Sequence, residues 1–259
     1  LPAFIHGGGV VLAYKDGSTA ALVHTMIKVL IVDDSAFMRN ALTSMLSSDP
    51  EIMVVGTARD GVEAVQKAAE LGPDLITLDV EMPRMDGLES LRVIMEKHPV
   101  PVLMVSSLTT EGAQATLDAL DLGAVDFIPK NLSELSINIV KIKQVLIEKV
   151  KQIAKKGLVA GRRAPGAPRD GGAILPLPAR TTGERRIGVV AIGTSTGGPM
   201  ALREIILRLP ENFPVPIVIA QHMPPAFTAP FAARLNQLSR VTVKEAAAGE
   251  PLRPGVAFI

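Results

Sequence analysis

Lys28-Val29-Leu30-Ile31-Val32 runs straight into Asp33-Asp34-Ser35. The apolar run is short, rich in β-branched residues and free of polar alternation, so it reads as a strand buried on both faces. Ser35 to Ser47 follows as a helix, with Phe37, Ala41, Leu42 and Met45 at helical spacing. Outward from this unit the same alternation continues. Ile52–Val55 is a second strand. Gly61–Leu71 is a helix stopped by Gly72-Pro73. Asp74–Leu78 is a third strand, followed by a Pro83/Gly87 loop and a helix over Leu88–Lys97. Pro101–Val105 is a fourth strand, Glu111–Leu122 a helix ended by Gly123, Ala124–Ile128 a fifth strand, and Leu132–Lys155 a long last helix. Continuous apolar strands alternating with amphipathic helices predict a parallel sheet covered on both faces, of the doubly wound, flavodoxin-like type.

The pattern stops at 157–183, where Gly157, Gly161, Gly166, Gly171 and Gly172 mix with Pro165, Pro168, Pro176 and Pro178. That composition predicts a linker, its arginines solvated. A second α/β pattern opens at Ile187–Ile192, with helices over Pro199–Leu209 and Pro225–Leu238 and strands at Pro216–Ala220, Val241–Val243 and Val256–Ile259. No solenoid repeat is present.

Composition excludes several function classes. The chain has 259 residues, with Lys+Arg 27 against Asp+Glu 26. It therefore lacks the basic surplus of a nucleic-acid binder. Without cysteine there is no disulfide, thiolate metal site or cysteine nucleophile, which fits a reducing cytoplasm. No apolar run approaches the ~18–20 residues of a membrane span. There is no Trp and only one Tyr, Tyr14, so an aromatic stacking platform for bases is not expected.

The ends read differently from the middle. Residues 1–25 open on Leu1, lack the features of a signal peptide and precede a clean strand, so the domain is expected to begin at Met26. His6-Gly7-Gly8-Gly9 matches an HGGG oxyanion pattern but lacks its structural context. His98 ends a helix before Pro99, and His24 lies in the opening stretch. Val256–Ile259 closes the chain as a strand-like run, which is expected to leave ladder groups unpaired, as in a fragment.

Chemistry gathers at strand ends, where open α/β sheets bind their ligands. Asp33 and Asp34 follow the first strand, Asp79 the third, Ser106 the fourth and Lys130 the fifth. Three converging carboxylates repel, and a hard divalent cation such as Mg²⁺ relieves them. An Asp beside Mg²⁺ and an ammonium is placed to accept a phosphoryl group.

Val32-Asp33-Asp34-Ser35, Asp79 with Met82-Pro83-Arg84-Met85-Asp86-Gly87, Ser106-Ser107 and Lys130 resemble the receiver domain of two-component response regulators. The resemblance implies that Asp79 is the phosphoacceptor. It assigns Asp33, Asp34, Asp79 and the Glu81 carbonyl to Mg²⁺, Ser106 and Phe127 to the conformational switch, and Lys130 to the phosphoryl group. One departure stands out: the family places Pro after the Lys, whereas Pro129 precedes Lys130 here.

In the second half, Gly193-Thr194-Ser195-Thr196-Gly197 fits the G-x-S-x-G nucleophile elbow, between a strand and a helix. The Thr196 N–H is placed to donate to an oxyanion at the helix start. Gly193-x4-Gly198 also has P-loop spacing, but Pro199 stands where that motif needs Lys. His222 follows the Pro216–Ala220 strand and can take the Ser195 proton. The bland alternatives are a ligand-free glycine turn and a capping histidine.

Together with Gln221-His222-Met223-Pro224-Pro225, Phe227-Thr228 and Phe231-Ala232-x-Arg234-Leu235-Asn236, these motifs resemble the CheB family of chemotaxis response regulator protein-glutamate methylesterases. The resemblance implies a receiver domain over 26–150, a helix end and linker over 151–184, and the N-terminal part of a parallel, Rossmann-like methylesterase domain over 185–259. Residues 1–25 become a disordered or non-native extension. It also implies Ser195 as nucleophile, His222 as general base, a chemotaxis histidine kinase as phosphodonor and methyl-accepting chemoreceptors as substrate, in the cytoplasm, with glutamine deamidation as a second activity. Nucleic acid and membrane insertion are not expected. The family's triad Asp lies further along than Ile259, and Glu250 does not match its motif. Losing a triad acid costs about 10⁴ in kcat, so this chain is expected to be weak or inactive as it stands. Its alternative role is that of a phosphorylatable binding module. A DNA-binding output is disfavoured, because no recognition helix follows the linker.

Overall fold

The computed structural model describes residues 4–6, 9–11, 26–107, 109–130, 132–161 and 187–259. The chain divides into two compact units, Leu1–Gly157 and Leu158–Ile259.

The first unit opens with β1 (Phe4–His6) and β2 (Gly9–Val11), paired antiparallel with His6 opposite Gly9. From the sequence alone this stretch is expected to be a disordered or non-native extension, so the two strands are a difference. The remainder of 1–25, including His24, lies outside the described residues.

The body of the unit alternates β3 (Ile27–Val32), α1 (Ala36–Leu46), β4 (Ile52–Ala58), α2 (Gly61–Leu71), β5 (Leu75–Asp79), α3 (Gly87–Lys97), β6 (Val102–Ser106), α4 (Thr110–Asp121), β7 (Asp126–Pro129) and α5 (Leu132–Gly161). The strands form one parallel sheet in the order β4-β3-β5-β6-β7. In first-to-last numbering that is 2-1-3-4-5, the flavodoxin-like order. Helix starts are fixed by short polar side chains that accept from otherwise unpaired amides. Ser35 caps α1, Asp60 caps α2, Asp86 caps α3 and Thr109 caps α4. Gly72, left-handed at φ 51, ends α2.

One core cluster joins Val29, Ile31, Leu75 and Leu103 on the sheet to Leu42 and Leu46 on α1 and Leu146, Val150 and Ile153 on α5. The second strand is longer than its apolar run suggested. Gly56, Thr57 and Ala58 pair with Leu30, Ile31 and Val32 after a register shift, so the ladder continues where the hydrophobic signal fades.

The second unit carries β8 (Val190–Thr194), α6 (Gly198–Ile206), β9 (Ile217–Gln221), α7 (Pro225–Leu238), β10 (Thr242–Lys244) and β11 (Val256–Phe258). Its sheet is parallel, in the order β10-β11-β9-β8. Leu202 and Ile206 of α6 and Phe227, Phe231 and Leu235 of α7 are buried, as are Ile217 and Ile219 of β9. The last strand does not carry the unpaired ladder expected of it: β11 sits between β10 and β9, paired to both. Ile259 N–H also donates to the Lys244 carbonyl at 3.0 Å. The linker segment 162–186 lies outside the described residues.

Leu103, fully buried at the centre of the first core, is the most direct probe of this packing. Leu103→Ala is expected to cost about 2–5 kcal/mol in urea denaturation. Phe37→Ala, at a side chain 66% exposed, should stay within about 0.5 kcal/mol.

Candidate functional site

The strand order of the first sheet explains why its acids meet. From β3 the chain crosses to β4 on one side, and β5 then lies on the other, so the carboxyl ends of β3 and β5 flank the topological switch point. Asp33 follows β3, and Asp79 closes β5. One carboxylate oxygen from each of Asp33, Asp34 and Asp79 lies within 4.8 Å of the others. Asp33 is fully buried and Asp79 nearly so, at 2% exposed, while Asp34 is open to solvent.

Lys130 Nζ enters the cluster from the end of β7, 2.6 Å from Asp79 Oδ2 and 2.8 Å from Asp33 Oδ2. The reversed order of Pro129 and Lys130 does not displace the ammonium. Pro129 still pairs opposite Ser106, and the Lys130 N–H donates to the Ser106 carbonyl at 2.5 Å.

The electrostatics leave a deficit of positive charge. Burial pushes the Asp79 carboxyl up to about 6, the neighbouring Asp33 adds to that push, and Lys130 only partly opposes it. Burial works against the Lys130 ammonium as well, but the Asp33 and Asp79 carboxylates outweigh it and hold its pKa above the ordinary lysine value. Three carboxylates face one ammonium. An all-oxygen, hard donor set with that imbalance fits a small divalent cation. Asp33, Asp34 and Asp79 could hold it.

Several supporting residues were not legible as such in the sequence. Arg39 Nη1 donates to the carbonyls of Asp33 and Asp34, at 2.7 and 2.9 Å, bracing the backbone that carries both acids. Gly87 lies so close to the Asp79 backbone that any Cβ there would overlap the Asp79 carbonyl oxygen. Arg84 is the one described non-glycine residue with positive φ, at 69°, and it pairs with the buried Asp60.

Ser106 is buried at the end of β6, and its hydroxyl donates to the Gly112 carbonyl of α4 at 3.0 Å. Phe127 is buried on β7. Glu81 N–H reaches Asp79 Oδ1 at 3.4 Å, and the Glu81 carboxylate accepts from Ser107 Oγ at 3.4 Å.

In the second unit, β8 and β9 are adjacent and parallel, so the residues after them emerge at the same edge. Thr194 pairs opposite Gln221, which sets Ser195 beside His222. Ser195 Oγ lies 3.3 Å from His222 Nδ1, and both side chains are exposed. The His222 N–H donates to the Thr194 carbonyl at 2.9 Å, locking the two strand ends together.

The turn differs from the expected elbow in where its strain lies. Ser195 has no positive φ; Gly197, the N-cap of α6, carries it at 72°. Gly193 has open space where a Cβ would go, so the local packing does not demand glycine there. Gly198, outside the five-residue motif, is the tight position: a Cβ there would overlap Gln221 Oε1 as that side chain is placed and would crowd the Thr194 Cβ. Gln221 itself bridges the site. Thr194 Oγ1 donates to its Oε1 at 2.7 Å, and its Nε2 donates to the carbonyls of Ser195 and His222, both at 3.2 Å. Thr196 sits between Ser195 and the Gly197 cap, half-buried. Among the described residues no carboxylate meets the His222 ring. Glu250 is held by Lys244 Nζ at 2.7 Å.

The two units match two family models. Residues 29–139 match the response regulator receiver domain, and residues 190–259 match the CheB methylesterase. The protein-glutamate methylesterase/protein-glutamine glutaminase 1 of Oleidesulfovibrio alaskensis is 55% identical over 255 residues, covering 90% of this chain and 69% of that protein. The corresponding enzyme 2 of Nitratidesulfovibrio vulgaris is 53% identical over 251 residues, covering 90% and 68%. The crystal structure of the response regulator domain of Thermotoga maritima CheB is 52% identical, with a TM-score of 0.47 over 50% of this chain and 97% of that one. Receiver segment, methylesterase segment and this identity across 90% of its length place the chain in the CheB family of protein-glutamate methylesterases.

Proposed function

We propose that the protein is a phosphorylation-activated protein-glutamate methylesterase and glutaminase. In this reading it acts in the cytoplasm on methyl-accepting chemoreceptors and takes its phosphoryl group from a chemotaxis histidine kinase. Residues 26–150 are the receiver module, 185–259 the methylesterase segment, and 151–184 join them. The observation that carries the reading is the Ser195 Oγ–His222 Nδ1 approach of 3.3 Å at the matched strand ends. No helix among the described residues is long and apolar enough to cross a membrane.

In the esterase step, Ser195 Oγ attacks the carbonyl carbon of the receptor's glutamyl methyl ester while the His222 ring takes its proton. The Thr196 N–H, at the start of α6, donates to the developing oxyanion. As the tetrahedral intermediate collapses, the C–OCH₃ bond breaks and the imidazolium protonates the departing methoxide, so methanol leaves. Water, deprotonated by His222, then breaks the acyl–Ser195 bond and regenerates carboxylate and the serine hydroxyl. A glutamine substrate follows the same path with ammonia as the leaving group.

In the receiver, an Asp79 carboxylate oxygen takes the phosphoryl group from the kinase's phosphohistidine. Lys130 Nζ, already 2.6 Å from Asp79, then pairs with the new phosphoryl oxygens. Asp33, Asp34, Asp79 and the Glu81 carbonyl would hold Mg²⁺, which supplies charge neutralisation to the transferring oxygens when bound. Ser106, now bonded to the Gly112 carbonyl, turns to the phosphoryl group, and Phe127 repacks with it. That exchange is the charge-driven switch that activates the esterase.

A second reading, a phosphorylatable binding module without hydrolase activity, has one observation in its favour: no described carboxylate orients the His222 ring. Methanol release from methylated receptor by the full-length protein separates the two. The expected result is release that acetyl phosphate stimulates. Ser195→Ala abolishes it, and Asp79→Asn leaves a basal rate that acetyl phosphate does not raise. Retained hydrolysis in Ser195→Ala refutes the nucleophile assignment.

The raised Asp79 pKa makes a second prediction. A folded-state pKa of about 6, against 3.8 unperturbed, means that the folded, metal-free protein binds this proton more tightly than the unfolded chain. The resulting stabilisation is full below about pH 4 and is lost as pH rises through about 6, on the order of 3 kcal/mol in all. Urea denaturation in chelator should show that decline, Asp79→Asn should flatten it, and Mg²⁺ at pH 7.5 should offset it. An unchanged slope in Asp79→Asn assigns the decline to other groups.

A further inference from the structure

We infer that Gln221 is a positioning residue for ester hydrolysis: its carboxamide ties the Ser195 turn to the His222 strand and sets the distance between nucleophile and base. The inference rests on the assignment of Ser195 and His222 as the reacting pair and assigns a role to a side chain that touches neither reacting atom.

Its three hydrogen bonds have only one consistent arrangement. Backbone carbonyls can only accept, so the atom facing the carbonyls of Ser195 and His222 must be the NH₂ group, which has two protons to give them. That leaves Oε1 toward Thr194 Oγ1, which donates to it at 2.7 Å. The amide orientation is thus fixed by the network. One end grips the last residue of β8, and the other spans the first residues beyond β8 and β9.

The fold also reserves room for this clamp. Gly198 is buried, and a Cβ there would overlap Gln221 Oε1 and crowd the Thr194 Cβ. The second glycine of the Gly197-Gly198 pair therefore serves the carboxamide, while the first supplies the left-handed cap. Without the clamp, β8 and β9 stay paired up to Thr194 and Gln221 and the His222 N–H still donates to the Thr194 carbonyl, but the Ser195 and His222 carbonyls lose the side chain that bridges them. The exposed Ser195 and His222 side chains would then be held less closely in place. Misplacement of reacting groups by about 1 Å costs on the order of 100-fold in rate.

The test is the rate at which a fluorophosphonate probe labels Ser195 in the full-length protein, across pH 5–8. Labelling forms the Ser195 Oγ–P bond, expels fluoride and passes the serine proton to His222, so it reads nucleophile activation directly. Gln221→Ala should label about 10- to 100-fold more slowly, and on methylated receptor its kcat should fall with KM within about twofold. Gln221→Glu keeps the acceptor for Thr194 but turns oxygen toward two carbonyls. It should be as slow as Gln221→Ala at pH 8 and recover relative to the parent as pH falls, because a protonated carboxyl regains one donor. A mere packing role would not produce that recovery. Should Gln221→Ala fail to fold, Thr194→Val removes only the hydroxyl that holds Oε1, and should slow labelling about fivefold. Parent-like labelling in Gln221→Ala, or in Thr194→Val where that variant carries the test, overturns the inference. So does a Gln221→Glu deficit independent of pH. Labelling that persists in Ser195→Ala instead refutes the underlying assignment and leaves the clamp without a reaction to serve.

Discussion

The ammonium of Lys130 stands between two carboxylates that burial would otherwise force apart or neutralise. It reaches Asp33 and Asp79 at 2.8 and 2.6 Å. Both acids are almost completely removed from water. A buried carboxylate pair without a cation is costly, and one ammonium does not balance it once Asp34 is counted. Burial, aided by the neighbouring Asp33 and only partly opposed by Lys130, pushes the Asp79 carboxyl up to about 6. The deficit of positive charge makes the pocket receptive to a divalent ion. Sheet order, the brace from Arg39 and the close packing of Gly87 all serve to hold this charged cluster at the strand ends.

Much of this was legible in the sequence, for a specific physical reason. In a parallel sheet every strand's carboxyl end lies on one edge, so polar residues just after apolar runs are brought together whatever the loops do. Asp33, Asp79, Ser106 and Lys130 could be read that way, and so could Ser195 and His222. Lys130 shows the strength of the rule, since moving Pro129 ahead of it leaves the ammonium in place. Side chains that act by reaching across were not legible. Arg39 lies on α1 and braces carbonyls five and six residues back. Gln221 clamps a turn 26 residues away. Neither has a periodicity or motif of its own.

The remaining differences have equally local causes. β4 extends through Gly56-Thr57-Ala58 because backbone pairing with β3 continues where apolar side chains stop. The terminal strand β11 enters the middle of its sheet, a placement that chain order alone does not reveal. The Ser195 turn matches its motif, yet the left-handed φ falls on Gly197 and the tight packing on Gly198, not on the motif's first glycine. In both units, parallel strands deliver the candidate site residues to one edge. In one unit these form an acid cluster short of positive charge; in the other they are a hydroxyl beside an imidazole.

The measurement that bears most directly on the charged cluster is the chemical location of the phosphoryl group. After incubation with acetyl phosphate and Mg²⁺, borohydride reduction converts an aspartyl phosphate to homoserine, which peptide mass mapping locates. Homoserine is expected at position 79, with unmodified aspartate at 33 and 34. Homoserine at either of the latter positions, or none at 79 under conditions that activate the enzyme, would contradict the Asp79 assignment.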